Sequence, residues 1–152
     1  MVYDVGARCP VEWAKVANDE MLRLIVTQGD VGLAAIEMVA SYGMAVGATV
    51  FETVWWSGRF TEAWAGWNDG LPIRVYRKDV KLHLCGSVRA KDTNIRQALI
   101  DRYGPGRNVA VGRKDSPGPL YGFKADCWQA LGVAITACEV DLTSAGGRER
   151  IK

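Results

Sequence analysis

The sequence feature that most constrains the fold is an apolar run of strand length that ends on a single carboxylate. Residues 33–36 are all apolar, Glu37 follows them, and a turn of small residues leads into a helix-like pattern. A charge at the end of a buried strand is costly unless it has a partner, and open sheets place their sites at strand ends. That partner is a cation, a metal or a substrate. Alternatively, Glu37 faces solvent after the strand, and the run alone does not decide between the two.

The other apolar, turn and capping patterns predict a mixed α/β domain with a small sheet. Residues 1–14 indicate two short strands around a turn at Gly6, and Asn18 caps a helix with acidic residues in its first turn. The further expected elements are a long helix over 43–67, a strand over 73–76, an apolar strand over 80–86, a helix from 94 to 103, a surface loop over 104–122 and a last helix headed by Asp126.

Length and composition are those of an ordinary globular protein. The 152 residues, 49% hydrophobic and 24% charged, suffice for one domain with a real core, expected over 1–142 with a flexible tail over 143–152. No apolar run approaches the ~18 residues of a membrane-spanning helix, and the N-terminus lacks a signal-peptide pattern. The four cysteines include no CxxC pair, so we expect neither a zinc site nor a disulfide framework, and a reducing cytoplasm fits best.

Charge is segregated along the chain. Residues 1–73 carry 4 basic and 9 acidic side chains, a balance of −5, whereas residues 74–124 carry 12 basic and 4 acidic side chains, a balance of +8. Such segregation allows a local positive field that suits a polyanionic partner. The alternative is a well-solvated surface that binds nothing.

Two carboxylates stand out because of their positions. Glu37 follows a strand, and Asp126 lies in the first turn of a helix preceded by a glycine-rich loop. Acidic residues converging from different elements are what hard cations such as Mg²⁺ require, and two such ions can cleave phosphodiesters. Lys124 and the basic segment 74–124 would hold the phosphates. His83, in the apolar stretch 80–86, is interpreted as a packed histidine rather than a catalytic group.

Several motifs, in the same order, resemble those of phage and prophage RuvC-like Holliday junction resolvases. The resemblance covers residues 14–138, nearly the whole chain. The second acidic motif of that family resembles residues 33–44 (LAAIEMVASYGM). Its basic strand–loop–helix resembles residues 80–86 (VKLHLCG) and 90–99 (AKDTNIRQAL), and its last acidic helix resembles residues 117–122 (PGPLYG) and 126–134 (DCWQALGVA).

The resemblance implies an RNase H-like fold of the RuvC type, a mixed sheet flanked by helices. It also implies a Mg²⁺- or Mn²⁺-dependent endonuclease acting on four-way (Holliday) DNA junctions in a bacterial or phage-infected cell, and a homodimer, because two strands are cut symmetrically. By this match Glu37 and Asp126 are catalytic metal ligands. The residues expected to contact DNA are Lys81, Arg89, Lys91 and Lys124, through phosphates and with a steep salt dependence.

The sequence departs from the family pattern in two places. Gln129 stands where the wider RuvC pattern has a second acid on the last helix. The family's first strand ends in an essential Asp, for which Asp4 is one candidate. Counting back from Asn18 and Glu37 instead places Asp4 at the second strand, so that the first strand and its Asp lie upstream. On that register we expect weak or no cleavage with DNA binding partly kept, and the alternative function is a catalytically impaired or non-catalytic branched-DNA-binding protein.

Overall fold

The structure, a computed structural model, describes residues 1–148 except 28, 30, 42, 44 and 69, with the backbone alone for 141–148. This part of the chain forms six helices and six short strands. In chain order they are β1 (Val2–Asp4), β2 (Cys9–Glu12), α1 (Asn18–Thr27), β3 (Ala35–Met38), α2 (Ala48–Ala65), β4 (Ile73–Tyr76), α3 (Arg77–Cys85), α4 (Asp92–Tyr103), α5 (Arg107–Ala110), β5 (Gly112–Arg113), β6 (Ser116–Pro117) and α6 (Ala125–Arg148). The chain divides into two compact units, Lys15–Arg77 and a second one that joins Met1–Ala14 to the chain from Lys78 onwards.

The Lys15–Arg77 unit is built around a β–α–β arrangement. Strands β3 and β4 pair in parallel, with Ala35 opposite Ile73 and Met38 opposite Tyr76. Parallel strands cannot be joined by a tight hairpin, and the crossover connection they need is helix α2. Helix α1 packs against α2. Because the two strands run in the same direction, their carboxyl ends lie at the same edge of the sheet.

The other unit has a helical core. Helices α3, α4 and α6 contribute most of its fully buried apolar side chains, among them Val80, Leu99, Leu131 and Ile135, each 0% exposed. A Cβ atom added to Gly132 of α6 would lie 3.0 Å from Val80 Cγ1, so α3 and α6 approach closely where α6 has no side chain. The antiparallel β1–β2 hairpin belongs to the same unit.

The prediction of a mixed α/β fold is confirmed, whereas the strands differ from the single mixed sheet that was expected. Among the described residues they pair as three two-stranded sheets, β1–β2, β3–β4 and β5–β6. Each strand is only two to four residues long, which leaves few backbone groups for a third partner. None of the helices in the described chain combines the length and apolar character needed to cross a membrane.

Three local predictions were wrong in detail. The apolar stretch 80–86 belongs to helix α3 rather than to a strand. Helix α2 begins at Ala48 rather than near 43, because Gly47 has an extended backbone (φ −87°, ψ 170°). The segment 104–122, expected as a loop, contains α5 and the β5–β6 hairpin. A flexible tail was expected over 143–152, but the backbone of 143–148 belongs to helix α6. Residues 149–152 lie outside the described residues.

Candidate functional site

Glu37 lies at the carboxyl edge of the parallel β3–β4 pair. It precedes Met38, the last residue of β3, and is paired in register with Val75 of β4. Arg77 follows directly after the last residue of β4, so the two charged side chains come from adjacent strand ends. This is the edge at which open parallel sheets place ligands, and the sequence-based position of Glu37 at a strand end is confirmed.

The Glu37 carboxylate has a cationic neighbour. Nη1 of Arg77 lies 3.8 Å from Oε1 of Glu37, and the two side chains are 23% and 38% exposed, respectively. The distance is that of an ion pair rather than of a direct hydrogen bond. Of the two interpretations left open by the sequence, a charged partner and a purely solvent-facing carboxylate, the structure therefore favours the first.

A cavity of about 310 Å³ adjoins this ion pair. Glu37 and Arg77 supply its charged groups, and the remainder of its wall is small or apolar. The lining residues are Glu37, Met38, Val39, Ala40, Ser41, Ala45, Val46, Val50 and Arg77. A concave, mostly apolar pocket with a few convergent polar groups is the usual form of a ligand site, and this one combines an anionic and a cationic group at a strand end.

Asp126 lies in the first turn of helix α6 and is exposed. The start of this helix is ordered by the carbonyl of Lys124, which accepts hydrogen bonds from the backbone N–H groups of Cys127 (3.0 Å) and Trp128 (3.4 Å). A carboxylate in the first turn is favoured by the helix dipole, which gives Asp126 a structural role beside any catalytic one. Gln129, at the position of the family's second acid, follows three residues later on the same side of the helix.

The predicted metal ligands are divided between the two units. Glu37 belongs to Lys15–Arg77 and Asp126 to the other unit. Within the described residues no three His, Cys, Asp or Glu side chains gather as a metal-binding group. Mg²⁺ commonly takes one or two protein carboxylates and completes its shell with water and substrate oxygens. The chemistry of Glu37 and Asp126 therefore fits such an ion, each as a single ligand rather than as part of a complete protein cage.

Asp4, the candidate for the family's first-strand Asp, has a local structural role. It is the last residue of β1, and its Oδ1 accepts a hydrogen bond of 2.8 Å from the backbone N–H of Ala7. Asp side chains that accept hydrogen bonds from backbone N–H groups shortly after them commonly stabilise tight turns. The carboxylate thus holds the hairpin turn, and its assignment as a metal ligand remains a prediction.

The four residues predicted to contact DNA all lie in the unit that contains Asp126. Lys81 is half-buried on α3, Arg89 is exposed in the turn after it, Lys91 is exposed immediately before α4, and Lys124 is exposed just before α6. The predicted strand–loop–helix is thus a helix–turn–helix arrangement of α3 and α4, with three of the four basic residues distributed along it.

Sequence reasoning missed a charged cluster that joins three helices. Nε2 of His83 on α3 lies 2.6 Å from Oε2 of Glu139 on α6, and Arg102 on α4 bonds the other oxygen of Glu139. Partial burial, followed by the positive charge of Arg102, lowers the pKa of His83 below its usual value. The contact with Glu139 ties α3 to α6. Because His83 lies on helix α3, its placement in an apolar strand was wrong.

Arg77 was also missed, although its position directly after the strand over 73–76 was a readable signal. The partnership of His83 with Glu139 had no such signal, since 56 residues separate them.

In comparisons with known proteins, no family model, curated protein or solved structure matches this chain.

Proposed function

We propose that this chain is a divalent-metal-dependent, structure-specific endonuclease that cleaves phosphodiester bonds in four-way DNA junctions, with an RNase H-like fold of the RuvC type. The observation that carries the proposal is the Glu37 carboxylate at the carboxyl edge of a parallel strand pair, beside Arg77 and a cavity of about 310 Å³. The motif resemblance and the basic residues of the second unit add support.

The roles follow from the residue types. Glu37 and Asp126 supply carboxylate oxygens, the donors that Mg²⁺ and Mn²⁺ prefer. A bound ion of this kind supplies Lewis-acid polarisation of a phosphoryl oxygen and lowers the pKa of its water. Arg77 balances the charge of Glu37 and brings a guanidinium that suits a phosphate. Lys81, Arg89, Lys91 and Lys124 bind phosphates of the DNA backbone.

The ion pair between Glu37 and Arg77 also favours a second candidate, a branched-DNA-binding protein that does not cleave. In this case Arg77 is the lasting partner of Glu37 and replaces a metal ion as the source of positive charge. The turn bond that Asp4 makes to Ala7 is consistent with the same function, because it gives that carboxylate a structural role in the hairpin turn.

Removal of the metal separates the two candidates. The purified full chain is incubated with a labelled four-way junction, or with a linear duplex of the same sequence, in MgCl₂ or in EDTA. We expect junction cleavage that requires Mg²⁺, with the linear duplex left intact. Junction binding without cleavage would establish the second candidate. Failure to prefer the junction over the duplex would contradict both.

We also propose that the protein is a homodimer, because helix α2 exposes a row of large apolar side chains. Phe51 is 66% exposed, Val54 45% and Trp55 57%, and their spacing places them on one side of the helix. The Cζ atom of Arg59 lies 4.9 Å from the ring centroid of Trp55, and tryptophan and arginine are the residues most enriched at energetic centres of interfaces.

The double substitution Phe51→Ser and Trp55→Ser is expected to weaken dimerisation at least ~10-fold, because such side chains each contribute more than about 1 kcal/mol at interface centres. Light scattering across a dilution series measures the dissociation constant. Val88→Ser is the control, because Val88 is also an exposed apolar residue (54%) but does not lie on α2. It should leave dimerisation unchanged. Equal constants for the double variant and the unaltered chain would contradict a dimer through α2.

A further inference from the structure

A cluster of aromatic rings supports the start of helix α6. Trp128, near its N-terminus, is 6% exposed. Phe123 contacts it edge-on, with ring centroids 5.4 Å apart, and Phe123 in turn packs against Trp13 at 4.6 Å. Because all three residues belong to one compact unit, the Trp128 ring is held in a defined position.

Arg96 lies over this ring. It is an exposed residue of α4, and its Cζ atom is 4.7 Å from the ring centroid of Trp128. A guanidinium that stacks on an aromatic ring keeps its N–H donors in its own plane, where they can reach a carboxylate or phosphate in a fork. Stacking also orders the side chain in advance, so less conformational entropy is lost when a ligand binds.

Arg96 differs in its ion pairing from two other arginines of the described chain. Arg102 pairs with Glu139, and in the other unit Arg23 pairs with Glu20. By contrast, the structure shows, for the residues it describes, no carboxylate within salt-bridge distance of Arg96. The ring contact fixes the guanidinium but does not neutralise it. Its donors therefore remain available to an anion from outside the chain.

The surroundings indicate what that anion is. Lys124 lies at the start of the same turn, since its carbonyl accepts the N–H of Trp128, and it adds a second cation. Asp126 lies in this turn as well. A phosphodiester strand carries one negative charge on each phosphate and extends along a surface, so it suits two cations near the start of one helix.

We propose that Arg96, ordered by its stack on Trp128, binds a phosphate of the DNA backbone at the start of α6 and thereby sets the path of the strand past Asp126. The inference rests on the proposed function, because the DNA junction is the polyanion. It extends that function by adding a binding residue outside the resolvase-based set and by assigning the buried Trp128 as its support. The contact reads no base, so its effect is independent of DNA sequence.

The test measures the affinity of the full chain for a labelled four-way junction in EDTA, over about 50–300 mM salt, by fluorescence anisotropy. Arg96→Gln is expected to weaken binding roughly three- to tenfold near 100 mM salt and to reduce the slope of log K against log[salt] by about 1. Arg96→Lys should retain the slope but bind less tightly, because an ammonium has no planar fork to hold against the ring. Arg23→Gln, which removes a 73%-exposed arginine from the other unit, is the matched control and should leave the slope unchanged.

The outcomes separate this inference from the function on which it rests. An unchanged slope for Arg96→Gln, with normal junction binding by the unaltered chain, would contradict the phosphate contact and leave the proposed function standing. Absence of junction binding by the unaltered chain would contradict both. If circular dichroism shows Arg96→Gln to be unfolded, the Arg96→Lys variant provides the test. If Arg96→Lys binds the junction as tightly as the unaltered chain at every salt concentration, the stacked contact is overturned.

Discussion

Replacing Glu37 by glutamine is expected to reduce Mg²⁺-dependent junction cleavage at least ~100-fold while leaving junction binding in EDTA within about twofold. Loss of residues that merely support a metal ligand already costs about 10–100-fold, and loss of the ligand's charge should cost no less. Binding is spared because it depends mainly on contacts between cations and phosphates. Cleavage rates and anisotropy titrations of the same preparation measure the two effects separately.

The fold should tolerate this substitution. Glutamine keeps the shape of the side chain, and the pair it removes, with Arg77 at 3.8 Å, is partly exposed to solvent. Such pairs contribute at most about 1 kcal/mol to stability. A loss of cleavage therefore reports on the chemistry of the site and not on unfolding, provided that the circular dichroism spectrum is unchanged.

Glu52→Gln is the matched control, because Glu52 is an exposed glutamate on α2 in the same unit. It should leave both cleavage and binding unchanged. If the unaltered chain cleaves and Glu37→Gln cleaves equally well, Glu37 is not a metal ligand. If the unaltered chain binds without cleaving, Glu37→Gln should change nothing in the nuclease assay, as the second candidate function requires.

Local signals were sufficient to predict the elements on which the Glu37 site stands. The apolar run that ends at Glu37 predicted the strand that carries it. Helix α1 begins at Asn18, with Asp19 and Glu20 in its first turn, as predicted. The chemistry around Glu37 was only partly foreseen. That Arg77 lies beside it depends on the pairing of β3 with β4, whose partner residues are 38 positions apart in the chain. No short sequence window contains that pairing.

Helix α3 shows how a correct observation led to a wrong element. Val80, Leu82 and Leu84 alternate with other residues, which is a strand pattern, but Val80 and Leu84 are also one helical turn apart. In the folded chain Val80 is 0% exposed and Leu82 is 55% exposed. A strand would have placed both on the same face. The pattern fits both periods, and packing against Gly132 of α6, where Val80 and Leu84 would be nearest to an added Cβ, selects the helix.

The segment 104–122 was expected as a loop because of its glycines and prolines, yet backbone contacts give it a fixed path. A Cβ atom on Gly118 would lie 2.2 Å from the carbonyl oxygen of Val109, so only glycine fits there. The backbone N–H of Leu120, whose side chain is 0% exposed, donates a hydrogen bond of 2.8 Å to the carbonyl of Ala110. Glycine content signals flexibility or close approach equally well, and the tertiary contact decides which applies.

Replacing Leu131 by alanine is expected to reduce the free energy of unfolding by about 2–5 kcal/mol, because a fully buried leucine loses both its transfer free energy and its packing against neighbours. Leu82→Ala, at a 55%-exposed position in the same unit, should change it by no more than about 1 kcal/mol. Urea titrations followed by far-ultraviolet circular dichroism give both values. Leu131 lies on the helix that carries Asp126 and the Trp128 ring supporting Arg96. Leu131→Ala should therefore lose cleavage at the urea concentration where this unit unfolds. Leu82→Ala should lose cleavage at the same urea concentration as the unaltered chain. Equal destabilisation by the two substitutions would contradict a core centred on α3, α4 and α6.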